Sequence, residues 1–419
     1  MRPFRALAGV AALIGLALAA STPAPAASPQ DAPTEIRALW VLRTSLSSPD
    51  SIAELVRSAH GHGFNTLLVQ VRGRGDRYYA NGIEPRASDL VRQPLTFDPL
   101  ASVIAAARTS GLSVHAWVNV NLVSSAADLP IARTHIVHRH PEWLMVPRDI
   151  AQELARIDQR SPAYVGRLAR WTRGQDNVEG LYATPIVPAA AAHVEAVVRD
   201  IAARYVVDGI HLDYARFPSS RFDYSRSALA EFRAAVRPGL SPAVRTELDG
   251  RHRIDLFAYA DGLPEEWKAF RMERMTALMT RVRAAVKAAR PRALVTVAAA
   301  PDIKDAFDHK LQNWPAWLDA GLVDAVAPMA YTPEPARFAQ QIAAASGVAG
   351  GGAIWAGIGA YRLTPAQTID NIQTARRLGT AGIVLFSYDS LIDPKQTPAN
   401  YLAVVGRSAF TASSAPGSQ

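Results

Sequence analysis

A stretch in the middle of the chain, residues 207–218 (VDGIHLDYARFP), joins an apolar run to a carboxylate and an arginine. Alternate residues of a β-strand share a face, so Gly209, His211 and Asp213 would point one way, with Ile210 and Leu212 pointing the other. An apolar face that meets outer helices, and an opposite face that ends in a carboxylate, are typical of a barrel strand. Because (β/α)8 enzymes carry their chemistry at the carboxyl ends of the strands, we predict that Asp213 is catalytic or contacts the substrate. An aspartate that only caps the next loop is the alternative.

Hydrolysis of a glycosidic bond usually needs two carboxyl groups that flank the bond, one protonated and one ionised. If Asp213 is the nucleophile or base, another residue must donate a proton. We select Glu84, in the loop after the second predicted strand, and keep Asp302, just past the fifth, as another candidate. A surface position without function is the alternative for Glu84, and geometry must decide.

The ends of the other predicted strands carry amides, cations and aromatic rings. Rings stack on the faces of sugars, while polar side chains bind sugar hydroxyls. Their collective placement, rather than any single residue, predicts a carbohydrate site. The side chains predicted to bind substrate are Arg72, Asp76, Tyr78, His115, Trp117, Asn119, His211, Tyr214, Arg216, Met329, Tyr331, Trp355, Tyr361, Ser387 and Tyr388.

Apolar, β-like segments alternate with helical segments, and this order predicts how those side chains are brought together. The strand segments are residues 36–42, 65–72, 113–120, 207–213, 294–300, 323–331, 353–360 and 382–387. The helical segments, several of which begin with proline, are residues 49–62, 98–110, 188–205, 264–289, 310–320, 335–345 and 365–378. Strict alternation with eight strands predicts an α/β fold of the (β/α)8 TIM-barrel type.

Two predicted connections are long, residues 121–187 after the third strand and residues 214–263 after the fourth. Loops of this length in a compact domain are usually functional, and both would overhang the predicted site. Side chains that would wall a groove there are Trp143, Trp171, Tyr182, Arg221 and Tyr224. An open, doubly wound sheet is the alternative fold, but residues 43–46 (RTSL) are not the glycine-rich phosphate turn that it needs.

The first 27 residues have the pattern of a secretory signal peptide, with Arg2 and Arg5 before an apolar run and small residues after it. We expect residues 28–34 to form a linker, residues 35–407 the barrel, and residues 408–419 a disordered tail. The protein is therefore expected to be secreted or periplasmic, without stable membrane insertion after cleavage; an uncleaved membrane anchor is the alternative. We also expect a monomer.

Composition excludes several other classes of function. The chain has no cysteine, which rules out disulfides, thiolate metal sites and a cysteine nucleophile. The Gly-x-Ser-x-Gly motif of serine esterases does not occur in the sequence. The histidines are not spaced as metal ligands, so we predict no metal and no cofactor. The formal net charge is +8, and removal of Arg2 and Arg5 would lower it by two. Spread along the chain, this charge favours an anionic envelope polysaccharide over nucleic acid as partner.

Several motifs occur in order: residues 35–40 (EIRALW), 70–72 (QVR), 115–117 (HAW), 140–143 (HPEW), 208–213 (DGIHLD) and 328–331 (PMAY). By these motifs the chain resembles the glycosyl hydrolase-like 10 family of exported bacterial proteins, over nearly all of residues 35–391. The resemblance implies a TIM-barrel glycosidase that acts on cell-envelope glycans, with the peptide-poor strands of peptidoglycan as expected substrate. Residues on family motif positions are Arg72, Asp76, Glu84, His115, Trp117, Asp213, Arg216, Tyr331 and Ser387.

Two places depart from the family pattern. Residues 119–122 (NVNL) stand where the family often has a Pro-Tyr-Arg type of turn, and Met329 stands where it often has glutamine. Two other functions stay open beside hydrolysis: a barrel that binds glycans without cleaving them, and a metal-dependent deacetylase or amidase that acts on the same polymers.

Overall fold

Eight parallel strands close into a barrel in the computed structural model, which describes residues 35–410. Each strand pairs with the next along the chain, and the last pairs with the first. The (β/α)8 fold predicted from the sequence is confirmed. The strands are β1 (Ile36–Val41), β2 (Thr66–Arg72), β3 (Ser113–Asn119), β4 (Gly209–Asp213), β5 (Leu294–Ala299), β6 (Ala325–Ala330), β7 (Ala353–Ile358) and β8 (Gly382–Phe386).

Helices between the strands form the outer layer. Ser48 and Thr364 each close a reciprocal capping box, so these starts are set by local sequence. The predicted helix 310–320 is wrong at its start, because residues 310–313 are not helical and a separate short helix precedes them. The helices of this layer are Pro49–Gly61, Pro99–Thr109, Pro188–Arg204, Pro264–Ala289, Ile303–Asp308, Trp314–Asp319, Pro335–Val348 and Pro365–Arg377.

The two long connections are folded excursions at the carboxyl ends of β3 and β4. The first contains a two-stranded ribbon, Leu122–Ser124 with Leu181–Tyr182, and helices Ile136–Arg139, Arg148–Leu154 and Pro162–Arg173. The second contains helices Arg226–Val236, Pro242–His252 and Ala258–Gly262. Buried Asp223 of the second excursion accepts a hydrogen bond from Val146 N of the first, 2.8 Å away. The excursions therefore support one another.

Side chains inside the barrel follow the alternation predicted for β4. Ile210 and Leu212 are fully buried in the outer core, between strands and helices. His211 faces inward, where its Nε2 accepts a hydrogen bond from Trp40 Nε1 and its Nδ1 meets Thr296 Oγ1, each at 2.9 Å. The apolar residues of the inner cluster are Ala38, Trp40, Leu68, Trp117, Ala298, Ala325, Ala327, Trp355 and Val384. The barrel is thus a filled core with its opening at the carboxyl ends of the strands.

The described chain ends against the barrel. Short helices Tyr388–Ile392 and Tyr401–Val405 lead into a last turn, Gly406–Phe410. The ring of Phe410 packs on Phe64 with centroids 5.0 Å apart, so a tail disordered from residue 408 is wrong for residues 408–410. The predicted signal peptide, the linker and residues 411–419 lie outside the described residues. No helix within residues 35–410 is long and apolar enough to cross a membrane.

Candidate active site

A cavity of about 630 Å³ opens at the carboxyl ends of the strands. Every barrel strand except β7 supplies part of its wall, either from its own end or from the loop that follows. Among the predicted residues, the cavity brings together Trp117, Asn119, Asp213, Tyr214, Arg216, Met329 and Tyr331. Wall residues that were not in the predicted set are Trp40, Leu42, Arg43, Thr44, Gln70, Gly73, Arg74, Leu122, Glu179, Ala300, Pro301, Asp305, Lys310 and Phe386.

Asp213 stands at the end of β4 on the cavity wall, as predicted. Its Oδ1 accepts hydrogen bonds from Tyr214 N at 2.6 Å and Arg216 Nη1 at 3.2 Å, while Oδ2 has no protein partner among residues 35–410. Tyr214 has a φ of 52°, a left-handed conformation that is uncommon for an aromatic residue and costs about 1 kcal/mol or more. The chain therefore bends sharply just after Asp213, which leaves one carboxylate oxygen free for a ligand.

A second carboxylate, Glu179, reaches the same cavity from the first excursion. It lies beside the ribbon, where a side chain at Gly180 would meet Ser124 O at 2.1 Å, so glycine is required for the two backbones to approach. Glu179 Oε1 lies 3.5 Å from Arg216 Nη2, and Oε2 accepts a hydrogen bond from the Tyr182 hydroxyl at 2.5 Å. One guanidinium group therefore lies between Asp213 and Glu179. The only local hint in the sequence is Gly180 followed by a short apolar run.

The surroundings push the two carboxyl groups toward opposite protonation states. Burial raises the pKa of Asp213, and the Arg216 cation only partly offsets that effect. Burial alone would also raise the pKa of Glu179, but its side chain is 41% exposed, and Arg216 and Tyr182 together lower its pKa. Relative to their ordinary values, these opposite shifts favour protonation of Asp213 and ionisation of Glu179, the states of an acid and a base in one site. The directions favour Asp213 as the proton donor, whereas the sequence predicted it as nucleophile or base.

Aromatic rings line the base of the cavity. Tyr331 stacks on Phe386 with ring centroids 5.3 Å apart, and Trp40 meets both rings edge-on at about 6 Å. The Arg216 guanidinium lies over the ring of Tyr214, 4.3 Å from its centroid. Stacked rings beside polar groups suit a sugar, which has an apolar face and a polar edge.

Glu84, predicted to donate the proton, lies outside the cavity. Its side chain and that of Arg72 are fully buried and form a two-point ion pair, with N–O distances of 2.8 and 2.7 Å. His193 Nε2 contacts the same carboxylate at 3.0 Å. Burial alone would raise the pKa of Glu84, but Arg72 and His193 outweigh it and lower the pKa to about 2. An ionised, enclosed carboxylate cannot supply a proton to a ligand, so the structure argues against this role.

A bulge in β2 explains why Arg72 also misses the cavity. Gln70 pairs with Trp117, but the register then slips and Arg72 pairs with Val118. Trp117 faces the barrel interior and Val118 the outer core, so the slip moves Arg72 to the outer side. Gln70 keeps its place on the cavity wall.

The remaining predicted residues have structural surroundings. His115, His211 and Trp355 lie within the barrel interior, where burial lowers the pKa of His115 to about 4 and of His211 to about 3. The predicted residues held in hydrogen bonds or packing outside the cavity are Tyr78 bonded to Asp89, Asp76 paired with Arg43, Ser387 capping Tyr388–Ile392, buried Tyr388, and Tyr361 against Tyr331 and Phe386. Asp302 caps helix Ile303–Asp308. No group of three or more potential metal ligands occurs among residues 35–410.

Comparison with known proteins identifies the family of the chain. The model of the Glycosyl hydrolase-like 10 family matches residues 35–371. The curated glycosyl hydrolase YngK of Bacillus subtilis (strain 168) is 22% identical over 202 residues, which cover 44% of this chain. That match spans 34% of the length of the curated relative.

Solved structures share the fold at low identity. The PgaB (BpsB) glycoside hydrolase domain from Bordetella bronchiseptica has a TM-score of 0.63 at 16% identity, with 91% of this chain and 100% of that chain covered. The catalytic domain of beta-amylase from Paenibacillus polymyxa has a TM-score of 0.60 at 10% identity, with 90% and 98% covered.

The fold is a TIM barrel of the kind found in glycoside hydrolases. The chain belongs to the Glycosyl hydrolase-like 10 family, whose model matches well over half of it. The family resemblance predicted from the sequence is confirmed, and with it a glycoside hydrolase-like class of protein.

Proposed function

We propose that this protein hydrolyses the glycosidic bonds of a cell-envelope polysaccharide, with Asp213 and Glu179 as the two working carboxyl groups. The observation that carries the proposal is that these groups share one arginine in an aromatic-lined cavity of sugar size. Such carboxyl pairs on either side of a bond are the usual machinery of glycoside hydrolases. No step requires a metal or a cofactor.

In the proposed reaction, Asp213 is protonated and Glu179 is ionised. Asp213 gives its proton to the glycosidic oxygen as the bond from that oxygen to the anomeric carbon breaks. The oxygen of a water molecule bonds to the anomeric carbon, and Glu179 accepts the proton that the water loses. Arg216, between the two groups, keeps Glu179 ionised and orients Asp213.

Peptide-poor glycan strands of peptidoglycan are the proposed substrate class. The family resemblance implies a glycan of the cell envelope, and the signal-like first 27 residues support export to where that polymer lies. Arg43, Arg74 and Lys310 line the cavity, and cations there favour a chain that bears carboxylates. The preference for strands freed of their peptides comes from the family resemblance.

Product analysis of purified peptidoglycan tests this function. The protein should generate new reducing ends, and mass spectrometry should find shortened glycans, with more product after removal of the peptides. Binding without turnover over long incubation would contradict the proposal and favour a glycan-binding barrel. Release of acetate that a chelator stops would instead favour a metal-dependent deacetylase.

A further inference from the structure

Two further hollows adjoin the central cavity and share its walls. One, of about 760 Å³, has Glu179, Asp305 and Lys310 in common with it. The other, of about 450 Å³, shares Pro301, Met329 and Tyr331. The larger hollow meets the cavity at the first excursion and at the segment after β5, and the smaller one meets it at that segment and at β6, so the cavity adjoins a further hollow at two places on its rim.

The larger side hollow has the chemistry of a sugar-binding surface. Trp171, at the end of helix Pro162–Arg173, lines it and remains partly exposed, with its ring held edge-to-face by Phe222 at 5.9 Å. Gln175 and Asn177 add exposed side-chain amides. A fixed indole beside amides can stack on one sugar ring and bind its hydroxyls.

The smaller side hollow carries a different set of groups. Arg362 donates a hydrogen bond to Tyr331 O at 3.1 Å, and exposed Arg337 has no ion-pair partner among residues 35–410. Glu334 and Gln341 complete its polar wall. This hollow can therefore accept a polar or anionic sugar substituent on the side of the cavity toward β6.

We propose that the three hollows form one cleft that binds a glycan lengthwise, with sugar units on both sides of the bond at Asp213, so that internal bonds are cut. This inference rests on the function proposed above. An enzyme that removes terminal units needs a wall that stops the chain end, whereas here the central cavity shares wall residues with a second hollow at two places on its rim. Trp171 is then a binding residue for units beyond the cleaved pair.

The size distribution of early products tests internal cleavage. Long, peptide-free glycan strands should be replaced early by chains of intermediate length, as resolved by size-exclusion chromatography. Release of monosaccharides or disaccharides alone, while long strands persist, would overturn the inference but leave hydrolysis standing. Absence of any new reducing end would instead refute the proposed hydrolysis.

Trp171→Ala tests the larger side hollow. The ratio of kcat/KM for long strands to kcat/KM for a tetrasaccharide of the same glycan should fall about tenfold, the effect of one lost stacking contact. Trp171→Phe should restore most of that ratio. Phe307→Ala, which removes a 42% exposed ring outside all three hollows, is the matched control and should leave the ratio unchanged.

Thermal melting shows whether each variant folds. An equal loss on long and short substrates by a folded Trp171→Ala protein would overturn the role of Trp171, because a merely structural defect affects both alike. An unchanged ratio would overturn it as well.

Discussion

Two arginine–carboxylate clusters on neighbouring parts of this barrel use the same residue types for different ends. The closed cluster is Arg72, Glu84 and His193; the open cluster is Arg216, Asp213 and Glu179. In the closed cluster, two nitrogens of Arg72 donate hydrogen bonds to the carboxylate of Glu84 at 2.7 and 2.8 Å. The third donates to Asn119 O and Val120 O. In the open cluster, distances to two carboxylates are 3.2 and 3.5 Å.

The difference shows what distinguishes a structural ion pair from one that can take part in a reaction. It is the contact with solvent and the number of hydrogen-bond partners, rather than the residue types. Every strong donor of Arg72 is used, so Glu84 stays ionised with no free oxygen for a ligand. Arg216 instead contacts two carboxylates. Burial raises the pKa of Asp213, whereas the pKa of Glu179 is lowered. A carboxyl group can transfer a proton only where the pairing is incomplete and a ligand can reach it.

Asp213→Asn should have the largest effect on the reaction. Loss of the proton donor is expected to lower kcat by about 10³- to 10⁴-fold, measured as reducing ends from peptide-free glycan strands. The free energy of unfolding should change by less than about 1 kcal/mol, because asparagine keeps an oxygen for Tyr214 N.

Asp208→Asn is the matched control for that variant. Asp208 lies before β4, at the other end of the barrel, and accepts a hydrogen bond from Val114 N at 2.8 Å, which asparagine can also accept. Activity of this control should stay near that of the parent. Full activity in Asp213→Asn would remove Asp213 from the mechanism.

Glu84→Gln should damage stability rather than chemistry. Removing one partner of a buried ion pair leaves Arg72 charged and enclosed, so we expect the free energy of unfolding to fall by about 3–5 kcal/mol. The kcat of the molecules that remain folded should stay within a few-fold of the parent. Urea unfolding, with activity per folded molecule, measures both quantities.

The pH dependence of stability adds a second readout for Glu84. Its pKa is about 2 in the folded protein against an ordinary value of 4.5, so its stabilisation is present above pH 4.5 and is lost as pH falls toward 2. Glu84→Gln should therefore lose less stability than the parent across that window. Equal losses would mean that Glu84 is not held ionised, and a large fall in kcat of the folded variant would return it to the mechanism.

The order of the strands, and the face of the sheet on which each strand side chain lies, could be predicted from the sequence because they depend on local periodicity. The same rule predicted Asp213, Arg216 and Tyr331 at the mouth of the barrel, and all three line the cavity there, because each lies at or just after the regular end of a strand. It failed for Arg72, because a bulge in β2 changes which face a residue takes and leaves no mark in the hydrophobic pattern.

Glu179 could not be predicted for a different reason. It belongs to no periodic segment, and its place depends on pairing of Leu122–Ser124 with Leu181–Tyr182, which are far apart in the chain. Such long-range pairing is decided by tertiary packing rather than by local propensity. Glu84, by contrast, is near Arg72 in sequence, but its enclosure depends on His193 of a distant helix.

Glu179→Gln separates the two carboxyl groups of the open cluster. Loss of the base should lower kcat by about 10²- to 10³-fold. In the parent, activity should fall on the acid side as Glu179 becomes protonated, below the ordinary range of a glutamate because its pKa is lowered. It should fall on the alkaline side as Asp213 ionises, above the ordinary range of an aspartate because its pKa is raised.

The variant should lose the acid limb of that profile and keep the alkaline one, measured as the residual kcat against pH. Glu273→Gln, an exposed glutamate on helix Pro264–Ala289, is the control and should keep the bell shape of the parent. Loss of the alkaline limb instead would exchange the two roles and make Glu179 the proton donor.

Arg74 extends the comparison to an arginine with no carboxylate at all, and its effect should be the smallest. Arg43 is paired with Asp76 at 3.4 Å and Asp89 at 3.6 Å, but exposed Arg74 on the cavity wall has no ion pair among residues 35–410. Its charge is therefore free to attract an anionic glycan. Arg74→Ala should raise KM about threefold at low salt with kcat unchanged, and the difference should vanish near 1 M salt, where charges are screened within about 3 Å.

Arg92→Ala, which changes an exposed arginine away from the cavity, is the control and should change neither constant. A fall in kcat for Arg74→Ala, or a KM effect that survives high salt, would mean that Arg74 touches the reacting sugars as Arg216 does, and that an arginine without a carboxylate can also belong to the chemistry.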